Sequence, residues 1–476
     1  MKHIDLGKVF GLLLLTACGQ QMQQASKVKG HPEYLNEKYT AQTGKDDLLV
    51  RPIAVPEYKP SKGVIISLTV LTSSQQHAMA KALLDSDIEA LYVMVPRSYA
   101  HKTAGQSPDF NALKSLGADL SKIVLVPAKD SSEKVSGGIS GTNYLTVWAR
   151  DWSPQPAYTA DGQLVLLDFN YYSNRDADDS AARSLVDLFN QDLPLSAVVT
   201  SPEVVSRVSV PVYNEGGNFM NNDDGDCLMT SRVTDANSPQ AIAQAAADNA
   251  RKKITNDEVM DKQEVIRQYK EKAGCKRVTI FPRIPYEGTG HIDMWAKFLD
   301  NKTVIVNELR DEVVNIDWYT AEERSKAKEV QTYLDARAED IESLGLRVIR
   351  IPMPAIIFGY AAYYNASKTE IIEVPDIWRS YTNSITVNGT AITPRYQAMD
   401  ADGYVYDAAT SKVLGTVPLT EAYPDAGLIK SYEDEAQRAY ESAGYKMNFV
   451  TVDNLISIGG AIHCTTMQIA KNINTF

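Results

Sequence analysis

Short apolar, β-branched runs alternate with helix-like stretches along most of the chain, and this alternation restricts the fold. The stretch "GVIISLTVL" at 63–71 is typical of a buried strand, "SSQQHAMAKALLDSD" at 73–87 of a serine-capped helix, and "EALYVMV" at 89–95 of the next strand. Such β and α units return about five times up to residue 464, at irregular spacing. The sequence therefore predicts an α/β fold.

Two turn signals indicate that the sheets are mixed. The stretch "FLDNKTVIV" reverses at Asp300-Asn301, and "ITVNGTAI" reverses at Asn388-Gly389. Both patterns predict antiparallel hairpins, so a purely parallel, doubly wound sheet is disfavoured. Further helices are predicted near 178–190, 236–272, 320–343 and 431–443.

The N-terminus has the pattern of a secretory signal. "MKHIDLGKVFGLLLLTAC" carries two lysines, a short apolar run and small residues that end at Cys18. The apolar run is shorter than the roughly 20 residues that a membrane-spanning helix needs. The Leu-Thr-Ala-Cys order resembles a bacterial lipobox, which implies removal of residues 1–17 and lipidation of Cys18. Gly19 at the next position favours, by the same resemblance, the outer membrane of a Gram-negative cell.

Residues 18–57 are rich in Gln, Lys and Pro and are predicted to be a tether, with the folded body at 58–476. No other stretch is apolar enough to cross a membrane, so we expect the lipid anchor to be the only membrane contact. The net charge of −12 argues against nucleic acid as a partner and is compatible with a cationic substrate. Two acidic turns only faintly resemble calcium loops, and we expect no metal and no cofactor.

Besides Cys18, the chain has three cysteines. Outside the cytoplasm, Cys227 and Cys275 are candidates for a disulfide, although each is equally compatible with a small buried side chain. Their spacing matches no zinc-binding pattern. Cys464 is then the odd thiol.

Four segments place polar residues among glycine, tryptophan and apolar neighbours: "VWARDWSP" (147–154), "NEGGNF" (214–219), "GTGHIDMWAKF" (288–298) and "GGAIHC" (459–464). If "HIDMWAKF" is a strand, His291 and Asp293 point to the same face. If "AIHC" is also extended, His463 and Cys464 point to opposite faces. The pattern therefore predicts that His291 is the partner of Cys464 and that His463 is structural or, at most, supports a site residue from behind.

A cysteine near a pKa of 8.5 is only a few per cent thiolate at neutral pH, and nearby carboxylates raise that pKa further. A cationic substrate resolves this conflict, and a guanidinium is planar, always charged and able to donate two N–H groups to one carboxylate. We expect Asp151 and Asp293 to bind it, Cys464 to attack its carbon and His291 to protonate the departing ammonia.

The motifs "WARDWSP", "EGGN", "GHIDMW", "SYTNSITVNG" and "GGAIHC" occur in an order that resembles the family uniting agmatine deiminases with Porphyromonas-type peptidylarginine deiminases. The resemblance spans about residues 60–470 and implies a pentein, the five-bladed α/β propeller of guanidine-modifying enzymes. The residues that match the family's catalytic set are Cys464, His291, Asp293 and Asp151, and those that match its substrate-binding set are Trp148, Glu215 and Asn383.

The chain departs from the family pattern in three places. Asp151 is followed by Trp-Ser-Pro instead of the usual Tyr-Gly-Pro or Ser-Gly-Pro. One arginine, Arg175, stands where relatives that act on C-terminal peptidyl-arginine carry two. The segments 232–275 and 395–425 have the character of insertions beside the site.

The resemblance implies hydrolysis of a guanidino group to a ureido product and ammonia through a thiouronium intermediate on cysteine. The sequence does not choose between agmatine, free arginine and peptidyl-arginine, although an anchored enzyme outside the cytoplasm would meet peptides more readily. Rival hypotheses are an amidinotransferase of the same fold and a catalytically inactive surface-binding lipoprotein. A cysteine protease is disfavoured because two carboxylates would oppose an oxyanion.

Overall fold

A computed structural model describes residues 52–72, 74–99, 102–128, 145–172, 175–190, 205–248, 259–317, 319–358, 362–364, 371–373, 376–396, 402–407, 413–418, 426–456 and 459–471. The predicted signal peptide, Cys18, nearly all of the predicted tether and most of the predicted insertion at 395–425 lie outside these ranges. Among the helices of these ranges, none combines the length and the apolar character needed to cross a membrane.

The described strands are β1 (Ile53–Ala54), β2 (Ser61–Ser67), β3 (Ala90–Val95), β4 (Ile123–Pro127), β5 (Gln155–Tyr158), β6 (Leu164–Asn170), β7 (Ser206–Tyr213), β8 (Met220–Asn221), β9 (Asp226–Thr230), β10 (Arg277–Phe281), β11 (Ala296–Phe298), β12 (Thr303–Glu308), β13 (Arg347–Pro352), β14 (Ala362–Tyr364), β15 (Ile371–Glu373), β16 (Ile385–Val387), β17 (Thr390–Arg395), β18 (Asp402–Asp407), β19 (Val413–Pro418), β20 (Lys446–Thr451) and β21 (Met467–Ala470).

The described α-helices are α1 (Ser74–Leu84), α2 (Asn111–Ser115), α3 (Ala149–Trp152), α4 (Asp176–Asp179), α5 (Ala181–Phe189), α6 (Arg232–Ala236), α7 (Pro239–Asp248), α8 (Lys262–Lys272), α9 (Asp311–Val314), α10 (Ala321–Ser343), α11 (Ala426–Ser442) and α12 (Asp453–Ile456). Short 3-10 turns connect several of these elements.

Five sheets repeat one arrangement, in which a central strand has an antiparallel neighbour on one side and a parallel neighbour on the other. The central strands are β2, β6, β9, β12 and β17. Strand β2 pairs with β21, so one sheet joins the two ends of the described chain. A sixth sheet, in the order β15-β14-β18-β19, falls between β13 and β20 in the chain, and its strand β14 also has one antiparallel neighbour, β15, and one parallel neighbour, β18. The α/β class and the mixed sheets are thus confirmed.

Both predicted hairpins are present. Strands β11 and β12 pair antiparallel across the turn that contains Asp300-Asn301, and β16 and β17 pair across Asn388-Gly389. Asn388 and Gly389 have φ values of 47° and 79°, as a two-residue turn of type I′ requires.

The folded body begins earlier than predicted. Strand β1 pairs antiparallel with β5, through Ile53 opposite Tyr158 and Ala54 opposite Ala157. The backbone N–H of Val55 also donates to the carbonyl of Pro156 at 2.9 Å. Residues 52–57 of the predicted tether therefore belong to the fold, and they bring Glu57 into the interior.

The apolar core has a large cluster that most of the sheets share and a smaller one around β7, β9 and β10. The Cys227–Cys275 disulfide lies in the smaller cluster, which decides the alternative that the sequence left open. The predicted helix at 236–272 is instead two helices, α7 and α8, and residues 249–258 between them lie outside the described residues.

Candidate active site

The candidate nucleophile lies on a tight turn. Cys464 belongs to a 3-10 turn, His463–Thr465, that precedes β21, so the prediction of an extended "AIHC" is wrong. The hydroxyls of Thr465 and Thr466 donate to the carbonyls of residues 461 and 462 at 3.2 and 2.8 Å. These side-chain to backbone bonds stabilise the turn in place of a strand.

Asn383 holds the thiol. Its Nδ2 lies 3.1 Å from Cys464 Sγ, and its Oδ1 accepts the backbone N–H of Ala461 at 3.1 Å. A methyl group added at Gly460 would lie 2.6 Å from Trp148 Cζ3 and 2.9 Å from the sulfur. The structure therefore brings Asn383 and Trp148, two predicted site residues, to the nucleophile.

His291 and Asp293 do meet at the site, but not on a strand. His291 caps a 3-10 turn, Ile292–Met294, and β11 starts only at Ala296. The turn follows from a local constraint: the buried Glu287 carboxylate accepts the backbone N–H groups of Thr289 and Gly290 at 3.0 and 2.6 Å. The predicted strand alternation was wrong here, although the pairing of the two side chains was right.

Glu215 orients His291. Its Oε2 lies 2.5 Å from His291 Nε2 and accepts Arg232 Nε at 3.2 Å. Its Oε1 accepts the Tyr172 hydroxyl and, at 3.2 Å, an Arg232 amino group. Both oxygens of Glu215 are thus hydrogen-bonded to protein groups, and Glu215 positions the ring of His291.

Gly217 is the point where three predicted site residues converge. A methyl group added there would lie 2.7 Å from His291 Nδ1, 2.9 Å from Asp293 Oδ2 and 3.1 Å from Asp151 Oδ1. The backbone N–H of Gly217 donates to the same Asp151 oxygen at 3.1 Å. The second glycine of "NEGGNF" is therefore needed for close approach.

The carboxylates and the histidine differ in protonation. Burial, helped by Glu215 and Asp293, raises the pKa of Asp151 to about 7. Burial lowers the pKa of His291, but Asp151 and Glu215 outweigh it and raise that pKa to about 9. His291 is therefore a buried cation at neutral pH and can donate a proton.

The thiol is protonated in the resting site. Burial raises the pKa of Cys464 well above its usual value, and the negative charges of Asp293 and Asp151 raise it further. Its Sγ lies 3.6 Å from Asp293 Oδ2. A positive charge that entered beside these carboxylates would favour the thiolate.

His463 also contacts Asp293, which is the supporting position that the sequence left open for it. Its Nδ1 lies 2.6 Å from Asp293 Oδ2, the oxygen that the thiol faces. Its Nε2 lies 2.6 Å from Glu57 Oε2. His463 is thus a partner of the carboxylate and not of the cysteine.

Two buried polar atoms at the centre have no hydrogen-bond partner among the described residues: His291 Nδ1 and Asp293 Oδ1. The first lies 3.8 Å from Asp151 Oδ1. Buried polar atoms normally have partners, so this pair marks the place of a polar ligand. No cluster of metal-ligating side chains occurs in the described ranges.

Glu57, Arg232 and Tyr172 lie at the site although the sequence did not single them out. Arg150 pairs with Glu57, at 2.9 Å between Nη2 and Oε2. A carboxylate within the apolar stretch "IAVPEY" is the one signal that was available for Glu57. Nothing in the sequence near Arg232 marks it.

The fold is similar to that of solved agmatine and arginine deiminases. The substrate-bound agmatine deiminase of C. jejuni has 16% identity and a TM-score of 0.53, with 92% of this chain and all of that chain covered. A putative arginine deiminase of Porphyromonas gingivalis has 16% identity and a TM-score of 0.55, with 89% and 99% covered. The agmatine deiminase of Enterococcus faecalis has 15% identity and a TM-score of 0.54, with 92% and 100% covered.

The model of the Porphyromonas-type peptidyl-arginine deiminase family matches residues 120–415, and the chain belongs to this family. The protein is accordingly a deiminase, a hydrolase that acts on C–N bonds of amidines. A comparison with curated protein sequences gave no match.

Gly217→Ala tests the convergence at Gly217. The methyl group would occupy the space among His291, Asp293 and Asp151, so we expect kcat/KM for deimination to fall about 100-fold or more, with the thermal unfolding midpoint little changed. The matched control is Gly105→Ala, where nothing lies within 4 Å of the added methyl group. Equal activity of the two variants would contradict the convergence.

Proposed function

We propose that the protein is an extracytoplasmic, lipid-anchored deiminase that converts the guanidino group of an arginine-like substrate into a ureido group and ammonia. The observation that carries this proposal is the convergence of His291, Asp151 and Asp293 at Gly217, with the Cys464 thiol 3.6 Å from Asp293. The site offers two carboxylates to a planar cation and a thiol to its carbon.

The guanidinium binds with its N–H groups donating to Asp151 and to the free Oδ1 of Asp293. Its charge compensates the carboxylates, lowers the pKa of Cys464 and lets the thiol proton leave to solvent. The thiolate then forms a C–S bond with the central carbon. One C–N bond breaks, and the departing ammonia takes the proton of His291.

The covalent adduct is a thiouronium. Neutral His291 now accepts a proton from a water molecule, whose oxygen attacks the same carbon. The C–S bond breaks, Cys464 leaves as a thiolate, the added hydroxyl loses its proton to solvent, and the neutral ureido product departs. Glu215 maintains the ring orientation in both half-reactions through its 2.5 Å contact with Nε2.

Cys464→Ala removes the nucleophile. We expect it to abolish ammonia release, by about 1,000-fold or more, because no other described thiol is free. Removal of one sulfur atom beside Gly460 leaves the unfolding midpoint within a few degrees. If Cys464→Ala released ammonia at the wild-type rate, the proposed mechanism would be contradicted.

Asp293→Asn separates nucleophile ionisation from catalysis. Loss of the negative charge 3.6 Å from the sulfur should lower the pKa of Cys464, so iodoacetamide alkylates the thiol faster at pH 7. Deimination should nevertheless be lost, because the substrate cation loses a carboxylate. Alkylation is measured by mass spectrometry across pH.

The control is Asp168→Asn, which removes a carboxylate that pairs with Arg207 and does not contact the thiol. It should leave both alkylation and deimination near wild-type values. An Asp293→Asn thiol that alkylates no faster than wild type would contradict the electrostatic argument.

We further propose that the five repeated sheets are arranged as the five blades of a pentein propeller. The support is the recurrence of one strand pattern in five sheets and the pairing of β2 with β21, which joins the two ends of the described chain. A crystal structure tests this arrangement directly.

The proposed location rests on the Leu-Thr-Ala-Cys pattern that ends at Cys18 and on the Cys227–Cys275 disulfide, since disulfides persist in oxidising compartments. Cys18→Ala should release the protein from the outer-membrane fraction and abolish incorporation of labelled palmitate. Continued membrane association of that variant would contradict the lipid anchor.

As substrate we propose peptidyl-arginine or another arginine derivative, because an anchored enzyme outside the cell meets peptides more readily than agmatine. Ureido product is measured with agmatine, free arginine and arginine peptides side by side. An amidinotransferase would need an amine acceptor for turnover, and an inactive surface-binding lipoprotein would give no product with any of the three.

A further inference from the structure

The first residues of the folded body insert a carboxylate between the site motifs. Glu57 follows β1, and its side chain, 13% exposed, lies among charged groups from three distant segments. We propose that Glu57 is a positioning residue for deimination, which acts through His463 on Asp293. This inference rests on the proposed function.

Every side chain that Glu57 contacts is close in sequence to a candidate site residue. Arg150, which precedes Asp151, donates to Oε2 at 2.9 Å, and the ring of His463, which precedes Cys464, lies 2.6 Å from the same oxygen. Two further groups donate to Oε1. They are the ammonium of Lys297, four residues after Asp293, and the backbone N–H of Thr386, three residues after Asn383, at 3.1 Å.

The contacts form a chain from Glu57 to the substrate position. His463 lies between two carboxylates, with 2.6 Å contacts to Glu57 Oε2 through Nε2 and to Asp293 Oδ2 through Nδ1. A ring that carries both N–H groups satisfies both carboxylates. Asp293 is then fixed through Oδ2, and its Oδ1 stays free for the substrate.

The charges of this cluster explain why Glu57 is ionised in the interior. Burial raises the pKa of Glu57, but Lys297, His463 and Arg150 outweigh burial and hold that pKa well below its usual value. The pKa of Asp293 is also lowered despite burial, chiefly by the hydrogen bond and charge of His463. The charged and titratable groups that face these two carboxylates are Arg150, Asp151, His291, Lys297, Tyr440, Tyr445, His463 and Cys464.

The test is Glu57→Gln, which keeps the size and the acceptor oxygen but removes the charge. Without that charge the His463 ring loses its anionic partner at Nε2, its hydrogen bond to Asp293 Oδ2 weakens, and the pKa of Asp293 rises. Because the ionised Asp293 is the active form, activity falls a second time as pH drops through its pKa, below the first loss that Asp151 causes near pH 7. We expect this second acidic limb of kcat/KM against pH to move to higher pH, and kcat/KM above it to fall about 10- to 100-fold.

A merely structural Glu57 would lower stability or the amount of active enzyme without moving the limb. The double variant Glu57→Gln with Lys297→Met makes this distinction, because it removes the cation that the first change leaves unbalanced. We expect it to regain thermal stability while the acidic limb stays displaced. A limb that returned to its wild-type position would overturn the positioning role.

Glu433→Gln is the matched control. Glu433 is a buried glutamate on α11 that pairs with Arg395, with oxygens 3.2 and 3.3 Å from Nε, and it contacts none of the candidate site residues. It should leave both the limb and kcat/KM near wild-type values. A limb displaced equally in this variant would contradict a specific route through His463.

A second readout does not depend on turnover. A weaker hydrogen bond from His463 leaves the Asp293 Oδ2 charge less compensated beside the sulfur, so in Glu57→Gln the pH midpoint of Cys464 alkylation should rise. If the wild-type enzyme gave no ureido product, the proposed function would be contradicted, but the alkylation midpoint would still test the role of Glu57. If the enzyme is active and Glu57→Gln leaves either the acidic limb or the alkylation midpoint unchanged, the inference about Glu57 is overturned and the proposed function is not.

Discussion

A protonated thiol 3.6 Å from a buried carboxylate is the interaction on which the rest of the site depends. Asp293 suppresses ionisation of Cys464 in the empty site, and the same carboxylate is available to a cation. In the proposed mechanism Cys464 is therefore activated by the substrate's own charge, which would protect a buried thiol from unproductive reaction. Such a carboxylate can stay ionised in the interior only if other groups neutralise it, and this requirement extends the site to His463, Glu57, Lys297 and Arg150.

Much of the site could be read from the sequence because its parts are short motifs with a chemical logic. The cysteine, the histidine and the carboxylates were identified by residue type and by resemblance, and the structure brings Cys464, His291, Asp293 and Asp151 together. The backbone that presents them was predicted wrongly. Alternation along a strand was assumed at 291–298 and at 461–464, whereas both stretches contain 3-10 turns. Buried Glu287 and the Thr465 and Thr466 hydroxyls determine these turns through contacts that a period-two pattern does not register.

The fold was predicted well where local signals are strong. At Asn388-Gly389, for example, both residues adopt the left-handed backbone conformation that a two-residue hairpin turn needs. Prediction was poor where tertiary contacts decide. The segment at 52–57 has the composition of a tether, and only its pairing with β5 and the cations around Glu57 place it in the body. Arg232 shows the same limit, because its importance comes from Glu215, 17 residues away, and not from its neighbours.

The two guanidinium-binding carboxylates were predicted as equals, but their environments set them apart. His463 keeps Asp293 ionised, whereas burial raises the pKa of Asp151 to about 7. At neutral pH, before substrate binds, Asp293 is therefore ionised and Asp151 is only partly ionised. A guanidinium cation would complete the ionisation of Asp151, and that proton is released when the substrate binds. Binding then strengthens as pH rises towards and through 7, while the same rise gradually removes the proton that His291, with a pKa of about 9, must donate to ammonia. These two raised pKa values thus confine efficient deimination to the interval from about 7 to about 9.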